Sequence, residues 1–357
     1  MTKTEYILIG VMSGTSLDGL DLAEVKFSWR NNRWEFDLLE GRTVPFPNVI
    51  YDSLRNCMNL SGLELVVLDK DLGQFIGDEV AKFDLGKVDA VASHGHTIFH
   101  EPKKGFTHQI GSINEIHAIT SLPVIGDFRS LDVSLKGEGA PLVPMGDKVL
   151  FSNYDATLNF GGISNITILG DQIRAFDLSP LNQVSNFICQ KYFDCEYDKG
   201  GEIGKTGQVN TVLLNYFEEF TYYKIKGSKS LGREDVDQYF ISEIEKSNLK
   251  PHDILRTYYE HIAIRISAEL IENALKRTLC AGGGVFNEFL IQLISERIKS
   301  REYELIIPSK DIIDFKEAII FAFLGLLRGL KQNNILKNVT GAMRDNMGGM
   351  LIGKNPF

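Results

Sequence analysis

The stretch Gly10–Asp21, GVMSGTSLDGLD, follows an apolar run of strand length, Tyr6–Val11. Beyond it, Ala23, Val25 and Phe27 alternate with Glu24 and Lys26, the period-two pattern of a half-buried strand. The loop therefore joins two strands as a hairpin. A Walker loop carries a lysine after its last glycine and runs from a strand into a helix; this loop does neither. A hairpin turn rich in Gly, Ser and Thr aims backbone N–H groups and hydroxyls at one point, which makes an anion nest. Glycine lets the ligand come close, because no Cβ holds it away. Ser13, Gly14, Thr15, Ser16, Leu17, Asp18 and Gly19 are the candidate phosphate contacts. Asp18 is also the candidate Mg²⁺ residue, since Mg²⁺ takes a few carboxylates plus substrate phosphates. The plain alternative is an ordinary β-turn with Asp18-Gly19 as its turn chemistry.

The same plan returns near residue 150. Ala156–Phe160 is apolar, Gly161-Gly162 follow, and Ile166–Leu169 is apolar again. Two such hairpins imply two related halves and together could grip a polyphosphate. Between and after them, strands alternate with helical stretches at Leu63–Phe83, Thr257–Arg277 and Asn287–Ile298, which predicts α/β layers. A strand at Leu279 runs into Gly282-Gly283-Gly284, where helix–strand packing wants glycine. Ala318–Leu327 reads as a buried helix, too short to span a bilayer. Lys224–Asp237 is the most polar stretch and the expected mobile loop.

The chain has 357 residues and a formal charge of −9. The acidic balance argues against nucleic-acid or anionic-membrane binding. Its four cysteines form no CxxC pair, so reduced thiols and a cytoplasmic setting are expected. The N-terminal residues show no signal-peptide pattern. His94, His96 and His100 raise the question of a metal, but no carboxylate or cysteine cluster accompanies them in sequence. Trp29 and Trp34 read as packing residues.

Further motifs follow in order. They are Ser93-His94-Gly95-His96-Thr97, Asp127-Phe128-Arg129, Gly137–Pro144 (GEGAPLVP), Asn159–Thr167 (NFGGISNIT), Asp198-Lys199-Gly200-Gly201, Lys229–Glu234 (KSLGRE) and Val339-Thr340-Gly341-Ala342. With Met12–Gly19 they resemble, over nearly the whole chain, the anhydro-N-acetylmuramic acid kinase family of the actin, hexokinase and Hsp70-like superfamily. The resemblance implies an α/β fold of two RNase-H-like domains with ATP in an interdomain cleft. The expected domains are residues 1–148 and 149–357, with the C-terminal segment crossing back. It also implies a reaction: ATP, water and 1,6-anhydro-N-acetylmuramate give N-acetylmuramate 6-phosphate and ADP. A homodimer is implied by the resemblance alone.

The resemblance assigns Asp177 as the catalytic aspartate that activates water; as an isolated residue it would read as an N-cap or turn aspartate. It places His96 and Glu317 beside the sugar, and Gly282, Gly283 and Gly284 over the adenine or ribose. By physics alone Glu317 is a first-turn acid of an apolar helix. Arg129 either grips the lactyl carboxylate with its bidentate fork or pairs with Asp127 or Asp132. The chain departs from the family's FDTGPGN segment. Ser179 and Leu181 stand where glycines are usual, Asn186 replaces an aspartate, and His96 a glutamine. If those glycines let the backbone approach the ligand, side chains at 179 and 181 are expected to narrow or reshape that part of the site. The departures leave open a non-catalytic ATP-binding homologue or a kinase of a different sugar. A hydrolase using Asp177 and Glu317 has no use for two phosphate hairpins.

Overall fold

The first strands bear out the opening hairpin: β1 (Glu5–Ser13) and β2 (Leu20–Arg30) pair antiparallel, and β3 (Arg33–Val44) continues the meander. The computed structural model describes residues 3–14, 17–225, 229–299 and 302–357. β4 (Ala90–Ser93) lies parallel to β1. β5 (His96–Glu101) and β6 (Phe106–Ile110) form a separate ribbon, and β7 (Val124–Gly126) is parallel to β4. β1 carries side chains with 0% exposure at neighbouring positions, Leu8 and Ile9, the mark of a central strand covered on both faces.

The second hairpin opens another sheet. β8 (Ala156–Phe160), β9 (Ile163–Ile168) and β10 (Arg174–Pro180) form an antiparallel meander. β11 (Arg277–Ala281) pairs parallel to β8, and β12 (Glu304–Ile306) parallel to β11. The last strand, β13 (Met350–Ile352), returns antiparallel to β7. The sheet orders are β13-β7-β4-β1-β2-β3 and β10-β9-β8-β11-β12. Leaving β13 aside, both sheets have one plan: three antiparallel strands, then a fourth parallel to the first and a fifth parallel to the fourth. That is the RNase-H-like order, present twice.

The chain divides into two compact units, Met1–Phe151 with Phe315–Phe357, and Ser152–Asp314. The long C-terminal helix Lys310–Gly329 crosses that boundary. Its apolar run from Ala318 to Leu327 is buried. Gly10 of β1 meets this helix: a Cβ there would lie 1.9 Å from the Ala318 carbonyl oxygen. The helix expected over Thr257–Arg277 instead runs Pro251–Glu272. Proline starts it, since a missing N–H costs nothing in a first turn, and Arg277 already belongs to β11. Asn287 caps the helix Glu288–Ile298, its side chain accepting from the Leu290 N–H at 3.0 Å. Trp29 and Trp34 face each other across β2 and β3, ring centres 5.2 Å apart, as a packing pair.

Candidate active site

In the first unit the candidate residues cluster at the ends of β1, β4 and β7. Thr15 and Ser16 lie outside the described residues. On either side of them the Leu17 N–H donates to the Gly14 carbonyl at 3.2 Å. Leu17 takes a left-handed φ of 59°, and Asp18 is exposed. At the head of the loop, buried Ser13 bonds His96 Nδ1 at 2.8 Å. Burial lowers the His96 pKa, so the imidazole is neutral through the physiological range and offers a donor–acceptor pair, as an amide would.

His94 is bound differently. Its Nδ1 bonds the Gly95 carbonyl at 2.8 Å, and Arg129 donates to its Nε2 from Nε at 3.1 Å and Nη2 at 2.9 Å. Nδ1 must then carry the proton. Burial, with Arg129 adding to it, pushes the His94 pKa down to about 3. Arg129 also donates to the Gly139 carbonyl at 2.7 Å. Burial lowers its pKa to about 10, with Glu317 opposing, so it stays charged. The expected alternative, an Arg129 pair with Asp127 or Asp132, is not what forms. Asp127 Oδ1 accepts from the Ser130 N–H. Asp132 is spent on the Gly139 N–H, Thr340 and Asn346, tying the GEGAPLVP and VTGA segments together.

Glu317 corrects another expectation. Its helix begins at Lys310, so Glu317 is two turns inside and no first-turn acid. Desolvation raises its pKa, with Lys316 and Arg129 pulling it back, although the side chain keeps contact with solvent. His100 pairs with Thr107 at 3.1 Å. Among the described residues no three His, Cys, Asp or Glu side chains gather as a metal-binding group.

In the second unit, the N–H groups of Leu181 and Gln183 donate to the Gly162 carbonyl, and that of Asn182 to the Gly161 carbonyl, at 2.8–3.2 Å. The carbonyls of the Gly161-Gly162 turn are thereby held from behind. Gly282 has φ 83°, and a Cβ on it would sit 2.3 Å from Asn159 Oδ1. One on Gly284 would sit 2.9 Å from the Phe160 carbonyl oxygen. The structure thus brings Gly161, Gly162, Gly282 and Gly284 together, with Gly283 open: nothing lies within 4 Å of a Cβ there. Gly201 closes on the same region, since its Cβ would meet Asn287 Oδ1 at 2.2 Å.

Asp177 is on β10, at an irregularity of register between Asp177 and Ser179. It is neither an N-cap nor a turn residue. A bulge re-aims a side chain, and here the carboxylate meets the KSLGRE segment. Ser230 Oγ and the Leu231 N–H both donate to Asp177 Oδ2 at 2.9 Å. The Asp177 N–H donates to the Lys229 carbonyl at 3.1 Å. Burial raises the Asp177 pKa, and those two donors oppose it. Of the expected mobile loop, residues 226–228 lie outside the described residues, while Lys229–Leu231 are bonded to β10. Sequence reasoning quoted KSLGRE but gave it no place in the site; a motif 53 residues away in sequence shows no partner until the chain is folded.

The sequence model of the anhydro-N-acetylmuramic acid kinase family matches residues 6–354. The chain belongs to this family. A member from Bacillus cereus, bearing that kinase name, is 33% identical and aligns with 93% of this chain and 98% of its own. One from Sulfurovum sp. is 33% identical, over 97% and 98%. Among solved structures, component A of the (R)-2-hydroxyglutaryl-CoA dehydratase of Acidaminococcus fermentans is similar at TM-score 0.44 and 11% identity, over 89% of this chain and 96% of that one.

The departures from the family's usual segment now have positions. Ser179 is 0% exposed and bonds Tyr223; Leu181 is 3% exposed and belongs to the core of the second unit. Neither side chain narrows the site, because both turn inward. Asn186 lines a pocket of about 470 Å³ with Gly162, Gln183, Phe187, Arg233 and Asp237.

Proposed function

We propose that this kinase opens 1,6-anhydro-N-acetylmuramic acid with water and transfers the γ-phosphoryl group of ATP to O6. The products are N-acetylmuramate 6-phosphate and ADP, a step of cell-wall sugar recycling. The observation that carries the mechanism is the Asp177 carboxylate, held through Oδ2 by Ser230 and the Leu231 N–H. Among the described residues both bonds end on one oxygen, and Oδ1 is the atom we assign to the water. Oδ1 takes the water's proton while the hydroxide adds to C1. The C1–O6 bond breaks, O6 attacks the γ-phosphorus, and the bond to the β-phosphate oxygen breaks as ADP leaves. Partial burial keeps the base closer to neutral pH than a free aspartate, which suits proton transfer.

The two glycine hairpins, Ser13–Gly19 and Gly161-Gly162, are assigned to the ATP phosphates, and Gly282, Gly283 and Gly284 to the nucleoside. Arg129 is assigned to the sugar carboxylate. Three of its five N–H groups are spent on His94 and Gly139, which fix its plane. His96 and Glu317 are assigned to sugar hydroxyls and the amide. Asp18 offers the exposed oxygen donor that a hydrated Mg²⁺ accepts. Mg²⁺ would neutralise charge on the phosphates. A cytoplasmic location fits the reaction, and among the described residues no helix is long and apolar enough to cross a membrane.

The test is ADP release from Mg-ATP, with and without 1,6-anhydro-N-acetylmuramate, with the product identified by mass spectrometry. Sugar-dependent release and a phosphosugar are expected. ATP binding without sugar-dependent turnover would overturn the reading. Asn186, in the wall of a pocket that Gly162 also lines, favours one variant of it, a different sugar, which a panel of sugars would reveal.

A further inference from the structure

We propose that Ser179, Tyr223, His261 and Glu218 form a buried positioning relay that fixes the β10 bulge and so aims the Asp177 carboxylate. The proposal rests on Asp177 being the base.

The groups form a continuous chain. Ser179 Oγ and the Tyr223 hydroxyl are 2.9 Å apart. The Tyr223 hydroxyl is 2.8 Å from His261 Nε2, and His261 Nδ1 is 2.5 Å from Glu218 Oε1. Arg265 closes the far end as an ion pair with Glu218. Ser179 and His261 are both 0% exposed. Burial keeps His261 and Tyr223 uncharged at neutral pH. With both neutral, one proton arrangement satisfies every group. Ser179 donates to Tyr223, Tyr223 donates to His261 Nε2, and His261 Nδ1–H donates to the Glu218 carboxylate.

Such a network is costly in an apolar core unless every member is satisfied. This one ends at the bulge. The neighbouring Tyr222 donates to the Asp177 carbonyl at 2.7 Å, and Tyr258 to the Pro180 carbonyl at 2.8 Å. Ser164 donates to the Ser179 carbonyl at 2.8 Å. Consecutive tyrosines on the short turn Thr221–Lys224 thus hold the bulge on both sides of Leu178. A glycine at 179, usual in the family, has no hydroxyl for Tyr223. Serine there adds a side-chain anchor to a backbone that glycine would leave freer.

The experiment compares the full chain with S179A, Y223F, the double variant and D177N. It measures kcat, both KM values and the thermal midpoint. S179A and Y223F are each expected to lower kcat about five- to tenfold, as loss of orientation does, with both KM values within about twofold. The double variant is expected to be no slower than the slower single, the sign of one coupled unit. Wild-type kcat in S179A, or losses that multiply in the double variant, would overturn the relay. If Y223F does not fold, S179A decides alone, since it removes a single hydroxyl. The two readings fail separately: turnover surviving in D177N removes the base assignment, whereas an inactive D177N beside fully active S179A removes only the relay.

Discussion

The two units share one sheet order but close their first hairpins differently. The first joins β1 to β2 through the six residues 14–19; the second joins β8 to β9 through Gly161-Gly162 alone. In the first unit the bonded groups at the site are mostly side chains: Ser13 with His96, and His94 with Arg129. In the second, the turn is shaped by backbone, with N–H groups of residues 181–183 on the glycine carbonyls. One plan therefore carries two kinds of site. The side chains proposed to recognise the sugar belong to the first unit. The second offers the glycines Gly161, Gly162, Gly282, Gly283 and Gly284, with the Asp177 carboxylate on the bulge of β10.

That division predicts unequal damage. Asp177→Asn keeps the shape but loses the proposed base, so kcat is expected to fall about 10²–10⁴-fold, the usual worth of a general base. ATP binding, read by calorimetry, is expected to stay near wild type. Persistence of sugar-dependent ADP release would break the assignment of chemistry to the second unit.

The glycines sharpen the contrast. Gly10→Ala drives a methyl to 1.9 Å from the Ala318 carbonyl oxygen. It is expected to cost about 1–3 kcal/mol or more as overpacking against a backbone that cannot give. Gly283→Ala meets nothing within 4 Å, so stability is expected to move by less than about 0.5 kcal/mol while KM for ATP rises. Calorimetry and ATP kinetics on the two variants check both. A stable Gly10→Ala protein would show that helix and strand adjust together.

Much of this was readable in the sequence, for physical reasons that also mark where reading stops. The strand periods around both hairpins are local and survive in the structure. The buried run at Ala318–Leu327 is legible from apolar content alone. The helix start at Lys310 was missed because it is polar, and with it went the first-turn reading of Glu317. Arg129 shows the same limit. Asp127 and Asp132 are near it in sequence, yet its bonds go to His94 and Gly139, positions set by sheet order. The inward turn of Ser179 and Leu181 depends on the bulge at Asp177, which no spacing rule announces. Long-range polar pairing is a property of the folded chain, and single-sequence patterns are blind to it.

The pH dependence follows from the same bulge. Burial raises the Asp177 pKa, and Ser230 and the Leu231 N–H oppose that rise. A base must be ionised, so if Asp177 has that role kcat is expected to climb as pH rises through its raised pKa. Ser230→Ala removes one opposing donor. The pKa moves further up, and the acid limb of the kcat profile is expected to shift to higher pH with the alkaline side unchanged. An acid limb that does not move would mean that the Leu231 N–H alone sets the charge state.

The smallest effect on turnover is expected at the edge of the first sheet, in the strand pair β2 and β3. Trp34 is 9% exposed and touches the rings of Tyr6 and Phe323, whereas its cross-strand partner Trp29 is 43% exposed. Trp34→Ala opens a hole in the core and is expected to cost about 3–5 kcal/mol. Trp29→Ala loses chiefly one aromatic pair, about 0.5–1.5 kcal/mol. Both are expected to leave KM for the sugar unchanged. Aromatic platforms are a common way to hold a sugar ring, so a raised KM in Trp29→Ala at unchanged stability would move the sugar contacts from the polar cluster around Arg129 to this edge. A loss confined to the unfolding midpoint would leave the proposed sugar contacts with Arg129, His96 and Glu317.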